Sequence, residues 1–211
     1  MTEIFLKGSA GRIHSHYAEN LDNNSKIALV LHPHPQYGGS MNNKITYNVY
    51  KTLYSSGFNV LRINFRGVGK SEGVFDKGIG ELKDAANALD WLQNKNASSK
   101  SILISGFSFG AWIASQLIMR RPEVTDFISV SPPVNKYDFS FFLQCPIKGL
   151  VLQGDMDSVV EERPVAQLIE SINDSKGNLI RYQIIEGGDH FFRNKIDQMN
   201  SYLEEYLASY K

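Results

Sequence analysis

Short apolar runs and amphipathic stripes alternate along most of the chain. Six runs are aliphatic or β-branched and short enough for strands covered on both faces; they lie at 27–31, 60–65, 102–107, 127–130, 147–153 and 179–185. Between and after them, apolar residues recur every three or four positions, as on one face of a helix, at 41–53, 82–92, 165–172 and 196–207. This alternation predicts an α/β fold with a mostly parallel central sheet and helices on both of its faces.

Two segments depart from this alternation. Residues 3–7 and 12–17, joined by a Gly-Ser-Ala-Gly turn, have the spacing of a β-hairpin, which we expect at the edge of the sheet. Residues 111–119 are apolar almost all round, which predicts a central, buried helix. Since there is no internal repeat and no long linker, the 211 residues suit a single domain spanning 1–211.

Composition narrows the classes of partner and location. Lys and Arg together number 22, as do Asp and Glu, so no charge surplus favours nucleic acid or an anionic membrane as a partner. No apolar run approaches the roughly 20 residues that cross a bilayer, and the N-terminal residues lack a signal-peptide core. The single cysteine, Cys145, has no internal disulfide partner. We therefore expect a cytoplasmic protein without membrane insertion, and either a monomer or a homodimer.

Residue types that carry chemistry follow the predicted strands. In open α/β sheets, ligands bind at the carboxyl ends of the strands. There the sequence places a His-Pro-His-Pro segment beginning at His32, a Gly-Phe-Ser-Phe-Gly segment around Ser108, a Gly-Asp-Met-Asp segment ending at Asp157 and a Gly-Gly-Asp-His segment ending at His190. The sequence therefore predicts an active site at this edge of the sheet.

The Gly-Phe-Ser-Phe-Gly segment at 106–110 has the pattern of a nucleophile elbow. A serine hydroxyl attacks well only when a base accepts its proton and a turn fixes its position. A G-x-S-x-G turn between strand and helix fixes Ser108 and directs the N–H of Phe109 toward a developing oxyanion. The alternative is a glycine-rich corner that only joins a strand to a helix.

A base and an acid for Ser108 are available further along the chain. His190 follows the last strand in a polar loop and is well placed to act as the base. The acid is Asp155 or Asp157, which the residues alone do not separate. The resulting order of serine, aspartate and histidine is that of α/β-hydrolases and differs from chymotrypsin and subtilisin.

The segment after the first parallel strand is expected to supply a second oxyanion donor. Pro33 and Pro35 have no N–H, so the donors are limited to His34, Gln36 or residues beyond. We predict the backbone N–H of His34, held in place by the stiff prolines. Alternatively, the prolines only end the strand.

Together these segments resemble the α/β-hydrolase superfamily, in particular its small, lidless, dienelactone-hydrolase-like bacterial members. The resemblance spans roughly residues 30–192 and rests on HPHPQYGGSMNNK, NFRGVGKSEG, GFSFG, LQGDMDSVV and GGDHFF. It implies the α/β-hydrolase fold, Asp157 as the acid of a Ser108–Asp157–His190 triad, and no cofactor or metal. Dienelactone hydrolases proper carry cysteine at the elbow, so serine here favours a general esterase.

The resemblance also bears on the substrate. Relatives split esters, thioesters, lactones and peptides, so the bond that is cleaved stays open. Only residues 131–145 separate the strands between which caps are commonly inserted, so we expect no large cap. An open site suits small-molecule substrates with short acyl groups, carried as esters or thioesters.

Three other interpretations compete with this one. Gly67-Val-Gly-Lys-Ser71 hints at a phosphate-binding loop, but the full motif needs glycine where Asn64 stands. His32 and His34, with the aspartates and His190, could serve a metal-dependent hydrolase. A hydrolase fold can also persist as an inactive binding protein.

Overall fold

A single eight-stranded sheet runs through the residues that the computed structural model describes, which are 2–20, 26–177 and 179–209. Its strands are β1 (Thr2–Gly8), β2 (Gly11–Ala18), β3 (Lys26–Leu31), β4 (Asn59–Ile63), β5 (Ser101–Phe107), β6 (Asp126–Val130), β7 (Gly149–Gly154) and β8 (Ile180–Ile185). They lie in the order β1-β2-β4-β3-β5-β6-β7-β8. β1 and β2 pair antiparallel, as do β2 and β4, and every other pair is parallel.

Five α-helices cover the described part of this sheet. They are α1 (Lys44–Ser55), α2 (Ile79–Lys95), α3 (Phe109–Ile118), α4 (Glu162–Lys176) and α5 (Ile196–Ala208). Alternate residues of each strand point to opposite faces. One set packs with α1 and α5, and the other packs with α2, α3 and α4. None of these helices combines the length and the apolar content needed to cross a membrane.

The α/β-hydrolase fold expected from the sequence is confirmed, including the edge hairpin β1–β2 and the buried helix α3. Several element boundaries differ by a few residues from the prediction, and two of the differences have a visible cause. The strand expected to reach residue 65 ends at Ile63, and the side chain of Asn64 turns to accept the N–H of Met41. The helix expected from residue 41 begins at Lys44, because the Asn43 side chain caps it. The prediction of one domain over 1–211 stays a prediction, since its ends lie outside the described residues.

The strand order opens a crevice where the site was expected. The chain passes from β3 to β4 on one side and then crosses to β5 on the other, which is a topological switch point. Leu31 of β3 lies beside Gly106 of β5, so the segments that follow these strands start next to each other. Between β6 and β7 lies a short 3-10 turn, Ser140–Gln144, in place of a cap.

Candidate active site

Ser108 occupies a sharp, strained turn between β5 and α3. Its φ of 53° and ψ of −120° lie in a region that side-chain-bearing residues seldom adopt. The Ser108 N–H donates to the carbonyl of Val130 over 2.9 Å, which ties the turn to the end of β6. The side chain is half-buried, so the hydroxyl stays within reach of a substrate.

The two glycines of the elbow are required by close backbone packing. A Cβ added at Gly106 would lie 2.2 Å from the carbonyl oxygen of Gly110. A Cβ at Gly110 would lie 2.5 Å from the carbonyl oxygens of Leu31 and His32. These glycines therefore let β3, β5 and α3 approach closely enough to hold Ser108 beside the His32 segment.

His190 lies between Ser108 and Asp157. Its Nε2 is 3.2 Å from the hydroxyl oxygen of Ser108, and its Nδ1 is 2.8 Å from Oδ2 of Asp157. With Nδ1–H donating to the carboxylate, Nε2 is free to accept the serine proton. The structure thus brings together the serine, histidine and second aspartate that were expected to form a triad.

The carboxylate of Asp157 is buried and held by four donors. Its Oδ1 accepts from the N–H groups of Val159 and Val160, each at 2.8 Å, while Oδ2 accepts from His190 and, at 3.2 Å, from the side-chain amide of Gln153. Burial by itself raises the pKa of Asp157, but the hydrogen bonds from His190 and the backbone outweigh it and hold the pKa below its ordinary value. The group therefore stays ionised beside the His190 ring.

Asp155 has a different role. Its carboxylate is exposed and accepts the N–H of Gly187 over 2.7 Å. This bond joins the turn after β7 to the loop that carries His190. The structure therefore separates the two aspartates that the residues alone left open, with Asp157 at the histidine and Asp155 shaping the turn.

The N–H groups expected for an oxyanion hole lie on the two segments that face each other across the crevice. Phe109 is the first residue of α3, so its N–H has no partner within the helix. Among the described residues, no hydrogen bond uses the N–H of Phe109 or of His34. The two residues also touch, since their rings lie 4.9 Å apart between centroids.

His32 fixes the peptide that carries the His34 N–H. Its Nε2 accepts the N–H of Phe65 at 3.0 Å, so its Nδ1 carries the proton and donates to the carbonyl of Pro33 at 2.6 Å. In a trans peptide the carbonyl and the following N–H point in opposite directions, so this bond orients the His34 N–H away from His32. Burial lowers the pKa of His32 to about 4, so the ring stays neutral and keeps both bonds.

A cavity of about 310 Å³ opens beside Ser108 and His190. Its walls are mainly apolar and come from the loops that follow β3, β5, β6, β7 and β8; the lining residues include Pro33, Tyr37, Phe109, Pro133, Tyr137 and Phe191. The ring of Phe75 packs against the His34 ring, with centroids 4.9 Å apart. This volume is at the lower end for small-molecule sites, which suits a compact substrate.

His32 and His34 do not form a metal site with the aspartates. Both ring nitrogens of His32 are occupied by the backbone, and Nδ1 of His34 accepts the N–H of Gln36. Asp157 is hydrogen-bonded to His190 instead. The metal-dependent alternative therefore loses the ligands on which it rested.

The histidine and carboxylate cluster found among the described residues lies elsewhere, on the edge hairpin. It comprises Glu3, His14 and His16. The oxygen of Asn64 accepts the Met41 N–H, so its amide group donates to Nδ1 of His14. Nε2 of His14 then carries the proton and donates to Glu3, which leaves no lone pair on that ring for a metal.

The Gly67–Ser71 segment is not followed by a helix that could bind phosphate. The next helix, α2, begins only at Ile79. The Ser71 hydroxyl donates to the carbonyl of Asn64 and accepts the N–H of His14, and Lys70 pairs with Glu3. This segment therefore ties the end of β4 to the edge hairpin.

Two residues beside the candidate triad were missed by sequence reasoning. Gln153 is the penultimate residue of β7, is fully buried, and donates its amide to both Asp157 and the carbonyl of Val160. His32 was considered only as a metal ligand, whereas the structure gives it a positioning role. A polar residue inside or just after an otherwise apolar strand was the available signal for both.

The fold, the serine elbow and the histidine–carboxylate pair beside it define the class of α/β serine hydrolases. The family model for X-Pro dipeptidyl-peptidases (S15 family) matches residues 21–204. The chain belongs to this family.

Similar proteins support the same assignment. An uncharacterized protein of Rickettsia prowazekii is 54% identical over 99% of this chain and 90% of its own length. A crystal structure from Agrobacterium tumefaciens, of a protein of unknown function provisionally classed with the α/β hydrolases, shares 46% identity and a TM-score of 0.95 over 98% of this chain and 95% of that one. An α/β serine hydrolase without a lid from Xanthomonas campestris shares 28% identity and a TM-score of 0.88, over 99% and 94% of the two chains. The resemblance to lidless bacterial α/β-hydrolases is confirmed.

Proposed function

We propose that this protein hydrolyses carboxylic ester or thioester bonds of small, short-acyl substrates through an acyl-enzyme on Ser108. The observation that carries the proposal is the line of hydrogen bonds from Ser108 through His190 to Asp157, at the wall of an apolar cavity. Such a line activates a serine for attack on an acyl carbonyl.

In the first stage, Ser108 Oγ attacks the acyl carbon while Nε2 of His190 takes the hydroxyl proton. The carbonyl oxygen becomes an oxyanion and accepts the N–H groups of Phe109 and His34, each worth about 3 kcal/mol when the geometry is good. Asp157 stabilises the cationic ring of His190. The tetrahedral intermediate then collapses, and the alcohol or thiol leaves with the proton from His190.

In the second stage, water replaces the leaving group. His190 takes a proton from the water, the hydroxide attacks the acyl-enzyme carbonyl, and the same two N–H groups stabilise the second oxyanion. Collapse releases the carboxylic acid, and His190 returns the proton to Ser108. Ser108, His190 and one water account for every bond and proton in this cycle, so the proposed reaction needs no cofactor.

The cavity favours ester over dipeptidyl-peptide hydrolysis, although the family takes its name from the second activity. An enzyme that cleaves dipeptides from an N-terminus must bind the terminal ammonium, which calls for carboxylates near the scissile bond. None of the described residues that line the cavity is Asp or Glu, and one of them is Lys136. An ammonium group at this site would be repelled, whereas a neutral or anionic ester would not.

Active-site labelling tests the proposal. A fluorescent fluorophosphonate is expected to label the protein at Ser108 and to leave Ser108→Ala unlabelled, because the substitution removes the attacking oxygen. In parallel, the protein is expected to hydrolyse p-nitrophenyl acetate, with Ser108→Ala at least about 10³-fold slower. Ser105→Ala is the matched control, since Ser105 lies on β5, the strand that leads into the elbow, but is buried away from the cavity.

Several outcomes would contradict the proposal. An unlabelled protein with no ester turnover would favour an inactive binding protein. Loss of activity with a chelator would favour a metal-dependent hydrolase. Faster turnover of an Ala-Pro anilide than of any ester would favour the peptidase activity.

The cytoplasmic location and the choice between monomer and homodimer stay predictions from the sequence. Fractionation of the host cell checks the first. Size-exclusion chromatography with light scattering checks the second.

A further inference from the structure

Among the described residues that line the cavity beside Ser108, one side chain other than the histidines is cationic. Lys136 belongs to the segment between β6 and β7 and lines the same cavity as Ser108 and His190. Apart from the two histidines, the other polar lining side chains, among them Asn43 and Tyr137, carry no formal charge. Among the described residues that line the cavity, none carries a negative charge.

The turn that carries Lys136 is rigid. The N–H groups of Lys136 and Tyr137 both donate to the carbonyl of Pro133, at 3.0 and 3.1 Å. The Tyr137 ring stacks on Trp112 of α3 with centroids 4.3 Å apart. The Asn135 side chain donates to the carbonyl of Val159 over 3.3 Å, which ties the turn to the segment after β7. These contacts on both sides hold the Lys136 backbone at the cavity wall.

The ammonium of Lys136 is not neutralised by the surrounding chain. It forms no ion pair with any carboxylate of the described residues. Asp138, two positions on, accepts the backbone N–H of Ser140 over 2.8 Å instead. Burial and, after it, the charge of Lys136 lower the pKa of the ring of His34, which lines the same cavity.

We infer that the substrate carries an anionic group, a carboxylate or a phosphate, which pairs with Lys136 while the ester carbonyl lies at Ser108. This inference rests on the proposed esterase function and adds the charge class of the substrate. A carboxylate in the mouth of an apolar cavity gains the attraction of the ammonium with little competing protein charge. Lys136 is thus a specificity residue, and the chemistry stays with Ser108 and His190.

Matched ester pairs test this inference at the acyl side. p-Nitrophenyl valerate and mono-p-nitrophenyl glutarate differ in a terminal methyl group that is replaced by a carboxylate. The readout is the ratio of kcat/KM for the anionic ester to that for the neutral one. Lys136→Ala is expected to lower this ratio about threefold and Lys136→Glu about tenfold, because the first removes and the second reverses the attraction.

A second pair tests the alcohol side. 3-Acetoxybenzoate carries an anion on its leaving group, and 3-acetoxybenzamide is its neutral counterpart. Acid release is followed in a pH-stat. The ester pair whose kcat/KM ratio falls on substitution of Lys136 identifies the part of the substrate that carries the charge. Lys51→Glu, an exposed substitution on α1, is the matched control, because it changes the net charge equally but lies outside the cavity lining.

The outcomes separate this inference from the proposed function. A ratio that falls with Lys136→Glu and not with Lys51→Glu, in either arm, supports an anionic substrate. If the neutral esters are hydrolysed and the kcat/KM ratios of both pairs are unchanged by substitution of Lys136, the inference is overturned and the proposed esterase function still holds. No turnover of any ester, together with no labelling of Ser108, overturns both.

Discussion

Asp155 and Asp157 stand two positions apart and meet different environments. Asp157 lies in the interior among four donors, whereas Asp155 lies at the surface with the N–H of Gly187. A carboxylate orients an imidazole only where water does not compete for it, so the two groups are not interchangeable. The difference arises from the direction in which the turn after β7 presents each side chain.

Replacing each aspartate in turn tests this distinction. Asp157→Asn is expected to lower kcat for p-nitrophenyl acetate by about 10³- to 10⁴-fold, because an amide in its place favours the wrong tautomer of His190. Asp155→Asn is expected to leave kcat within about threefold, since its amide oxygen can still accept the N–H of Gly187. The measurement is initial-rate kinetics on both variants. If Asp155→Asn lost most of its kcat while Asp157→Asn kept it, Asp155 and not Asp157 would be the residue that orients His190.

At the scale of elements, one buried ion pair joins three parts of the fold. Arg66, just after β4, donates from Nε and Nη2 to the carboxylate of Asp84 on α2, at 3.0 and 2.7 Å, and its backbone N–H donates to the same group. Nη2 also donates to the Ser9 hydroxyl in the turn of the edge hairpin. Both charged side chains are almost fully buried. The pair thus fixes β4, α2 and the hairpin relative to one another.

Breaking this pair should destabilise the fold. Asp84→Asn is expected to lower the free energy of unfolding by about 3–5 kcal/mol, because it leaves the Arg66 charge buried without a counterion. Asp90 lies on the same helix as Asp84 and pairs with Arg121 at a partly exposed position, so Asp90→Asn is expected to cost less than about 1 kcal/mol. Urea unfolding followed by circular dichroism measures both. If both substitutions lowered the free energy of unfolding equally, burial would not determine how much the Arg66–Asp84 pair stabilises the fold.

The arrangement of elements could be predicted from the sequence, because buried strands and amphipathic helices have different periods. The elbow and the order of serine, aspartate and histidine were also visible, since short motifs mark them, whereas the choice of Asp157 over Asp155 came only from the family resemblance. The Arg66–Asp84 pair, the His32 bonds and the place of Lys136 were not. Each depends on polar side chains that only the folded chain brings together, and no periodic pattern records which polar groups will meet.

At the scale of the whole molecule, a neutral buried histidine makes stability depend on pH. The unfolded chain protonates His32 near its ordinary pKa of 6.5, whereas in the folded chain burial lowers that pKa to about 4. Between these values the unfolded state binds more protons. The stability linked to His32 is therefore complete above pH 6.5 and is lost as the pH falls toward 4.

This loss can be measured by unfolding at a series of pH values. From pH 7.5 to 4, His32 alone is expected to remove on the order of 3 kcal/mol from the free energy of unfolding. His32→Gln should be less stable at pH 7.5 but should lose less as the pH falls. His16→Gln, at a half-buried position on the hairpin, is the control and should keep most of the wild-type loss. Parallel curves for the wild type and His32→Gln would contradict the linkage.

The distances along the chain between the candidate catalytic groups have a consequence for biosynthesis. Ser108 meets His190 across 82 residues of sequence, and His190 meets Asp157 across 33. Contacts of such long separation form only when the intervening chain is present and folded. Under the proposed mechanism, a nascent chain that has exposed Ser108 but not yet His190 lacks the base for the serine and is therefore inactive. By the same mechanism it becomes active only after β8 has joined the sheet and the loop that follows this strand has placed His190 beside Ser108.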